Sequence, residues 1–441
     1  MSDHLNQKGY NDGYHKGFSQ GYAEGYSRGR AEGINRYPAL FEGTSIIIPT
    51  YNQLGYLKEC IESVLRYTNK PYELIIIDNA SADGTAEYLI SLQGIRFRIN
   101  QENLGFAGAV NQGLMMSRGT TMLILNNDAV VTVNWLSNLL ACLHSDSTIG
   151  IVGPVTNYIS GEQLIETCYT NIHEMHQFAQ LYNQSDARRW SVTNRLTGFC
   201  MLLRREDFIR LGYFDEGFEV GNCEDDDYGL RARLLGMHLV IARDTFIHHY
   251  GSVSMKSLND KFDEVYANNL SFYSQKWSDP HGLLHLGWQH NMTRSHLKMI
   301  DLYPTCIVVQ GAGSKKYWIE NGNRHLIVGE HRFRAVRISQ VDLCSWHPAG
   351  EISAEEVDRR MKEGFCSSDN GIIPEGRLIQ GSDGSFFQCK GSTLHRFINR
   401  HSLTAWQLDS YKSLLADSAE LRKYEEGTPV IPPPVIKANN I

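Results

Sequence analysis

Ser45-Ile46-Ile47-Ile48-Pro49-Thr50-Tyr51-Asn52 is the stretch on which the reading of this chain turns. Three β-branched residues in a row, closed by proline and polar residues, suit a strand buried on both faces of a parallel sheet, where the apolar run is continuous instead of alternating. Leu74-Ile75-Ile76-Ile77 and Met122-Leu123-Ile124-Leu125 repeat the pattern. Between the first two runs, Leu57, Ile61, Val64 and Leu65 keep the spacing of one helix face, with Asn52 or Gln53 placed to start that helix. Val110 and Leu114 make a shorter stripe between Ala107 and Arg118. Strands alternating with helices call for an α/β class of fold built from right-handed βαβ units. In such sheets ligands sit beyond the carboxyl ends of the strands. Polar clusters fall at those ends: Pro49-Thr50-Tyr51-Asn52, Asp78-Asn79 and Asn126-Asn127-Asp128.

The rest of the chain has a different character. Its 441 residues exceed one ordinary domain, and 42% hydrophobic with 21% charged residues is a globular composition. A net charge of −7 argues against nucleic acid as the main partner. Nine cysteines, none spaced Cys-x-x-Cys, fit reduced thiols and a cytoplasmic protein without a disulfide framework. No apolar run approaches the roughly 20 residues of a membrane span, and no secretory leader opens the sequence. Glycines recur every fourth residue from Gly9 to Gly33, with aromatics after five of them. That arm is either a helix that orders on association or docking, or a disordered segment, because each glycine costs about 1 kcal/mol in a lone helix. Val308-Val309-Gln310-Gly311 and Leu378-Ile379-Gln380-Gly381 match at an offset of 70, continuing through Tyr317 with Phe387, Ile327 with Phe397, Phe333 with Leu403 and Ala335 with Ala405. The expected organisation is an arm at 1–43, an α/β domain at 44–283, a linker at 284–304 and a duplicated β-rich module at 305–441 with a proline-rich tail.

Several residues carry chemistry. Asp128 ends an apolar strand, where a carboxylate either holds a hard divalent cation or closes a turn. Asp78 and Asp83 flank Asn79-Ala80-Ser81-Ala82, and each either accepts hydrogen bonds from a ligand or caps a helix. Gly105 and Gly108 permit close backbone approach at a helix start that offers amides to an anion; helix-on-sheet packing is the alternative. Glu224-Asp225-Asp226-Asp227 places four carboxylates side by side, to be offset by solvent, by arginines such as Arg231 and Arg233, or by a cation. His248-His249 is either a core pair or a source of one imidazole ligand.

Taken in order, the motifs at 47–52, 77–85, 103–113, 125–128, 197–205, 212–216, 224–231 and 249–254 resemble those of the family 2 glycosyltransferases. The resemblance implies a GT-A fold, a mostly parallel Rossmann-like sheet. It implies an inverting, metal-dependent transfer of sugar from a nucleoside-diphosphate donor to a hydroxyl on a glycan, lipid-linked or protein acceptor. By position it makes Pro49, Tyr51, Asp78 and Asp83 nucleoside contacts. Asn103, Gly105, Asn111 and Asn127 become further donor-binding positions. Asp128 and His249 become ligands of Mg²⁺ or Mn²⁺, with His249 fitting the spacing better than His248. Asp225 becomes the catalytic base, and Glu224 helps hold the acceptor. Asp226 is acidic where relatives usually are not. The Asp-Asn-x-Ser-x-Asp-Gly-Thr variant is similar to that of bacterial rhamnosyltransferases, which points to surface polysaccharide or glycoprotein synthesis. A lipid-linked acceptor would require peripheral docking at the inner face of the membrane, and the arm or the duplicated module would join subunits. A non-catalytic sugar-binding or scaffolding protein on a degenerate form of the same fold is the rival of a different class. A nucleotidyltransferase should carry basic residues in the loop 50–55, and Thr50-Tyr51-Asn52-Gln53-Leu54-Gly55 has none.

Overall fold

The isoleucine run forms the inner half of β1 (Phe41–Thr50), where Ile46, Ile47 and Ile48 are fully buried. In this computed structural model residues 40–251, 261–280, 282–284, 296–363, 373–391, 393–438 and 441 are described. The glycine-repeat arm lies outside them. The chain forms a larger unit, Phe41–Met299, and a smaller one within Ile300–Ile441.

In the larger unit β1 is followed by α1 (Leu54–Tyr67), β2 (Tyr72–Asp78), α2 (Thr85–Ser91), β3 (Arg96–Ile99), α3 (Gly105–Met116) and β4 (Gly119–Leu125). Next come β5 (Ala129–Val130), α4 (Trp135–Ser145), β6 (Ile149–Val155), α5 (Ile172–Tyr182), β7 (Trp190–Thr193), β8 (Cys200–Arg204) and α6 (Arg205–Leu211). The unit ends with α7 (Glu224–Leu234), β9 (His238–Phe246), β10 (His248–His249) and α8 (Lys261–Trp277). Its main sheet has the order β3-β2-β1-β4-β8-β6-β9-β7. β3, β2, β1 and β4 are mutually parallel, β8 is reversed against both β4 and β6, β9 runs with β6, and β7 is reversed at the edge. This is the expected mostly parallel α/β sheet. β5 and β10 form a separate antiparallel pair.

One layer of the core joins the strand side chains Ile46, Ile48, Leu123 and Leu125 to Leu57, Cys60, Ile61 and Val64 of α1. Leu65, expected in that stripe, is instead 54% exposed. The helix turns Cys60 inward because its face follows the 3.6-residue period. α3 packs so close to β1 that a side chain at Gly113 would overlap Ile47.

The smaller unit holds β11 (Ile307–Gln310), β12 (Lys316–Glu320), β13 (Asn323–Val328), β14 (Val336–Arg337), α9 (Gln340–Ser345), β15 (His347–Ser353) and α10 (Ala354–Glu363). It continues with β16 (Leu378–Gly381), β17 (Phe386–Lys390), β18 (Thr393–Arg396), α11 (Arg400–Ala405), β19 (Leu414–Ala416), α12 (Ser418–Leu421) and β20 (Glu425–Glu426). Its two sheets, β14-β11-β12-β13-β15 and β19-β16-β17-β18-β20, have three antiparallel central strands and one parallel strand at each edge. The register read at Gln310/Gln380 and Tyr317/Phe387 falls on equivalent strands. It departs at Phe333/Leu403 and Ala335/Ala405: the first of each pair precedes β14 without regular structure, whereas Leu403 and Ala405 lie in α11, a helix started by an Asn399–Ser402 capping box.

Candidate active site

The carboxyl ends of β1, β2 and β4 open onto a cavity of about 870 Å³, as expected for ligand placement in such a sheet. Pro49, Tyr51, Asn103, Gly105, Asn127, Asp128, Glu224, Asp225 and His249 all line it. Asp78, Asp83 and Asn111 do not line the cavity, and each has a structural occupation. Asp83 caps two helices, accepting Leu54 N–H at the start of α1 (2.8 Å) and Thr85 N–H at the start of α2 (3.3 Å), and it also takes the Thr85 hydroxyl (2.6 Å). Gln53, left-handed at φ 64°, supplies no side-chain cap, so a carboxylate distant in sequence does that work. Asp78 is fully buried and its Oδ1 accepts the Ser81 backbone N–H at 3.1 Å. Asn111 is fully buried on α3, donating to Phe214 O (3.0 Å) and Glu216 Oε1 (2.9 Å) and accepting Phe214 N–H (2.8 Å).

The start of α3 is less open to an anion than its glycines suggest. Asn103 Oδ1 takes the Gly105 N–H (2.9 Å), and Val220 O takes the Phe106 N–H (2.6 Å). Asn79, another cavity residue, fixes this corner by donating to Gly105 O at 2.9 Å.

Asp128 and His249 meet because β5 and β10 pair His249 with Ala129. His249 Nε2 lies 3.1 Å from Asp128 Oδ1, and both side chains are nearly buried. His249 Nδ1 lies 2.8 Å from Tyr158 O. A carbonyl only accepts, so Nδ1 carries a proton and Nε2 is the nitrogen turned toward the carboxylate. Two electron-rich atoms at that distance require a proton or a cation between them, a donor set that suits a divalent metal. Phe199 stacks on the ring at 5.1 Å. The neighbouring His248 faces away, with Nδ1 2.7 Å from the Tyr169 hydroxyl; burial, reinforced by His249, pushes its pKa down to about 4. Among the described residues no three or more His, Cys, Asp or Glu side chains cluster for a metal, so Asp128 and His249 form a pair.

Two members of the acidic run, Asp226 and Asp227, form ion pairs. Asp227 is buried with Lys276 Nζ (2.5 Å) and Trp277 Nε1 (2.9 Å) on Oδ1 and Arg231 Nε (2.8 Å) on Oδ2. Burial alone would raise its pKa; Lys276 and Arg231 more than cancel that and hold it low. Lys276 also bonds Asp215 at 2.6 Å. Asp226 pairs with Arg195 through two contacts, 2.5 and 3.3 Å. Arg233, one of the expected counterions, instead donates to Asn194 O.

Glu224 and Asp225 line the cavity together with the arginine-paired Asp226. Glu224 is 5% exposed, and among the described residues its Oε2 has no hydrogen-bond partner. Burial and the adjacent Asp225 push its pKa well up. Asp225 accepts Gly198 N–H and Asp226 N–H, both at 2.9 Å. Burial, then the Asp226 charge, raises it to about 6 against the opposing pull of Gly198 and Arg195. A carboxylate near that value is suited to take a proton at neutral pH.

Glu224 follows a loop with left-handed backbone at Val220 (φ 54°), Asn222 (φ 85°) and Cys223 (φ 71°). Non-glycine residues held there cost on the order of 1–3 kcal/mol each, and such strain gathers at functional sites. Sequence patterns did not reveal Arg195, Lys276 or the loop's partner Asn269. Isolated cations and an asparagine carry no local signal when their partners are tens of residues away.

Residues 45–212 match the model of the family Glycosyl transferase family 2; the acidic run and His249 lie beyond that match. Glycosyltransferase GlyG of Streptococcus pneumoniae serotype 4 is 26% identical over 242 residues, covering 53% of this chain and 79% of its own. Glycosyltransferase GlyA of the same organism is 23% identical over 192 residues, covering 42% of this chain but only 27% of its own. The crystal structure of GalNAc-T7 with UDP, GalNAc and Mn²⁺ is 18% identical, with a TM-score of 0.40 over 59% of this chain and 56% of that one. Residues 45–212 therefore match glycosyltransferase family 2 on the mostly parallel α/β sheet described above, and this match together with the glycosyltransferase relatives supports a transferase activity.

Proposed function

We propose that the cavity binds a nucleoside-diphosphate sugar and that Asp225 acts as the base of an inverting transfer to an acceptor hydroxyl. The sorting of the acidic run supports this most directly: Asp226 and Asp227 are each paired with a cation, while Asp225, lining the cavity beside Asp226, has its pKa raised to about 6. The acceptor oxygen forms the new bond to the anomeric carbon as the bond to the phosphate oxygen breaks. Its proton passes to Asp225, and the nucleoside diphosphate leaves with the electron pair. Attack from the face opposite the leaving group inverts the centre. Glu224, buried and with one oxygen unpartnered among the described residues, is placed to receive a hydrogen bond from the acceptor. Pro49, Tyr51, Asn103, Gly105 and Asn127 would surround the donor.

Asp128 and His249 would hold Mg²⁺ or Mn²⁺, which when bound supplies neutralisation of the leaving diphosphate. EDTA is expected to abolish nucleoside-diphosphate release, and added Mn²⁺ or Mg²⁺ to restore it; full turnover in excess chelator would exclude this role. A donor screen over UDP-, GDP- and dTDP-sugars tests the whole reading. The motif at 78–85 puts a deoxyhexosyl donor of the rhamnosyl kind, and a surface polysaccharide or glycoprotein acceptor, first. Among the described residues no helix is long and apolar enough to cross a membrane, so a lipid-linked acceptor would have to be reached by docking at the membrane surface.

The pH dependence follows from the same carboxylate. Asp225 must be ionised, so kcat/KM should rise with pH through about 6 and level off above it. Asp226→Asn removes a charge that raises Asp225 and releases Arg195, which lowers it. The acid limb should therefore move to lower pH. An unmoved limb in that variant would separate the titration from Asp225.

A further inference from the structure

We propose that Asn269 is a positioning residue for this transfer: from α8 it holds the left-handed loop 219–223 in shape, and that loop sets the acids of α7 against the donor corner of the cavity. Asn269 is 1% exposed, so water cannot serve its amide. Its Nδ2 donates to Glu219 O (2.8 Å), Gly221 O (2.9 Å) and Asn222 O (3.2 Å), and its Oδ1 accepts the Glu219 N–H (2.8 Å). One side chain thus engages the backbone of three of the five loop residues. Those carbonyls converge because Val220, Asn222 and Cys223 are left-handed, a conformation that β-branched valine in particular disfavours.

The loop's other side is pinned to α3. Val220 O receives the Phe106 N–H at 2.6 Å. Gly105, at φ 73°, brings its backbone against Val220, where an added Cβ would lie 3.2 Å from Val220 N. The next residues in the chain are Glu224 and Asp225, and Val220 to Asp225 all line the cavity. The clamp therefore links the segment that begins α3 to the carboxylates that begin α7. Release of the loop would shift the base relative to the donor, and a displacement of about 1 Å can cost a hundredfold in rate.

The catalytic half of this inference rests on the transferase reading, so the test has two readouts. Asn269→Ala removes the clamp. Asn269→Leu removes it while keeping the side chain's volume, which covers the case in which the alanine variant folds poorly. Hydrogen–deuterium exchange should rise in both variants at residues 219–226 and stay at the wild-type level in the central strands. With the donor found by the screen, kcat should fall ten- to a hundredfold well below the melting temperature, while KM for donor changes less than about threefold. Wild-type exchange at 219–226, or a loss of rate that only follows a lower melting temperature, would overturn the proposal. A wild-type chain that releases no nucleoside diphosphate would instead remove the transferase reading, and the exchange measurement would still decide whether Asn269 holds the loop.

Discussion

Asp225→Asn is expected to fold and bind donor like the wild type while losing about 10²–10⁴ in transfer rate, the usual worth of a positioned general base. The change keeps the side chain's size. One of the two amides that Asp225 accepts, from Gly198 or Asp226, loses an oxygen acceptor, which is a small perturbation beside the loss of a proton acceptor. Donor affinity, measured by titration calorimetry with a nucleoside diphosphate, should stay within about threefold, because in the proposed reaction Asp225 serves the acceptor. The residual rate should also lose the acid limb near pH 6, since the group that titrates there is gone. Near-wild-type turnover in the purified variant would refute the assignment of the base. Asp226→Asn is the informative control: it neutralises an adjacent carboxylate that Arg195 already compensates, and it should shift the profile without removing it.

The second large effect concerns stability. Lys276→Met should lower the free energy of unfolding by about 3–5 kcal/mol, the usual cost of removing one partner from a buried ion pair. Lys276 is 1% exposed and lies within hydrogen-bond distance of both Asp215 and Asp227, which are fully buried. Arg231 stays on Asp227 in the variant, so a value near the lower end is expected. Urea denaturation with an unchanged slope and a lower midpoint would measure it. Lys276→Met combined with Asp215→Asn should recover part of the loss, because one of the two carboxylates then carries no charge. The sign of the pH effect follows from the low Asp227 pKa. Its stabilisation is complete above the ordinary carboxylate range and is lost as pH falls from there through the folded-state value, so the wild type should lose more stability than Lys276→Met on acidification. A variant as stable as the wild type at neutral pH would mean that the buried network contributes nothing.

The sheet was legible because burial on both faces leaves a plain trace: Ile46 to Ile48 and Leu74 to Ile77 are apolar without interruption and become adjacent parallel strands. The polar ends of those strands were legible as a cavity margin because ligands sit beyond the carboxyl ends of such strands. What each polar residue does there was not. Asp83 sits in a motif that suits donor binding, yet it caps a helix 29 residues away, a bond that depends on the crossover bringing α1 beside α2. Asn111 looks like a cavity residue by motif but lies on a part of α3 turned toward the 214–216 segment. The acidic run announced its own cost but not its remedy. Arg195 and Lys276 come from 31 and 49 residues away, and only the fold puts them within reach. In the smaller unit the two sheets have like strand orders, while the segments between strands differ: α11 lies between β18 and β19, and no helix lies between β13 and β14.

The two-residue ladder between β5 and β10 decides which imidazole meets Asp128. Neighbouring side chains on a strand point to opposite sides, so a slip of one position exchanges them. Inserting a single residue between Phe246 and His248 would present the tyrosine-bound ring to the carboxylate, whereas deleting one would put Tyr250 there and send His249 into the aromatic packing around Tyr169. Both histidines would survive in the sequence while the partner of Asp128 changed, so the spacing of this short segment matters as much as the residue types in it.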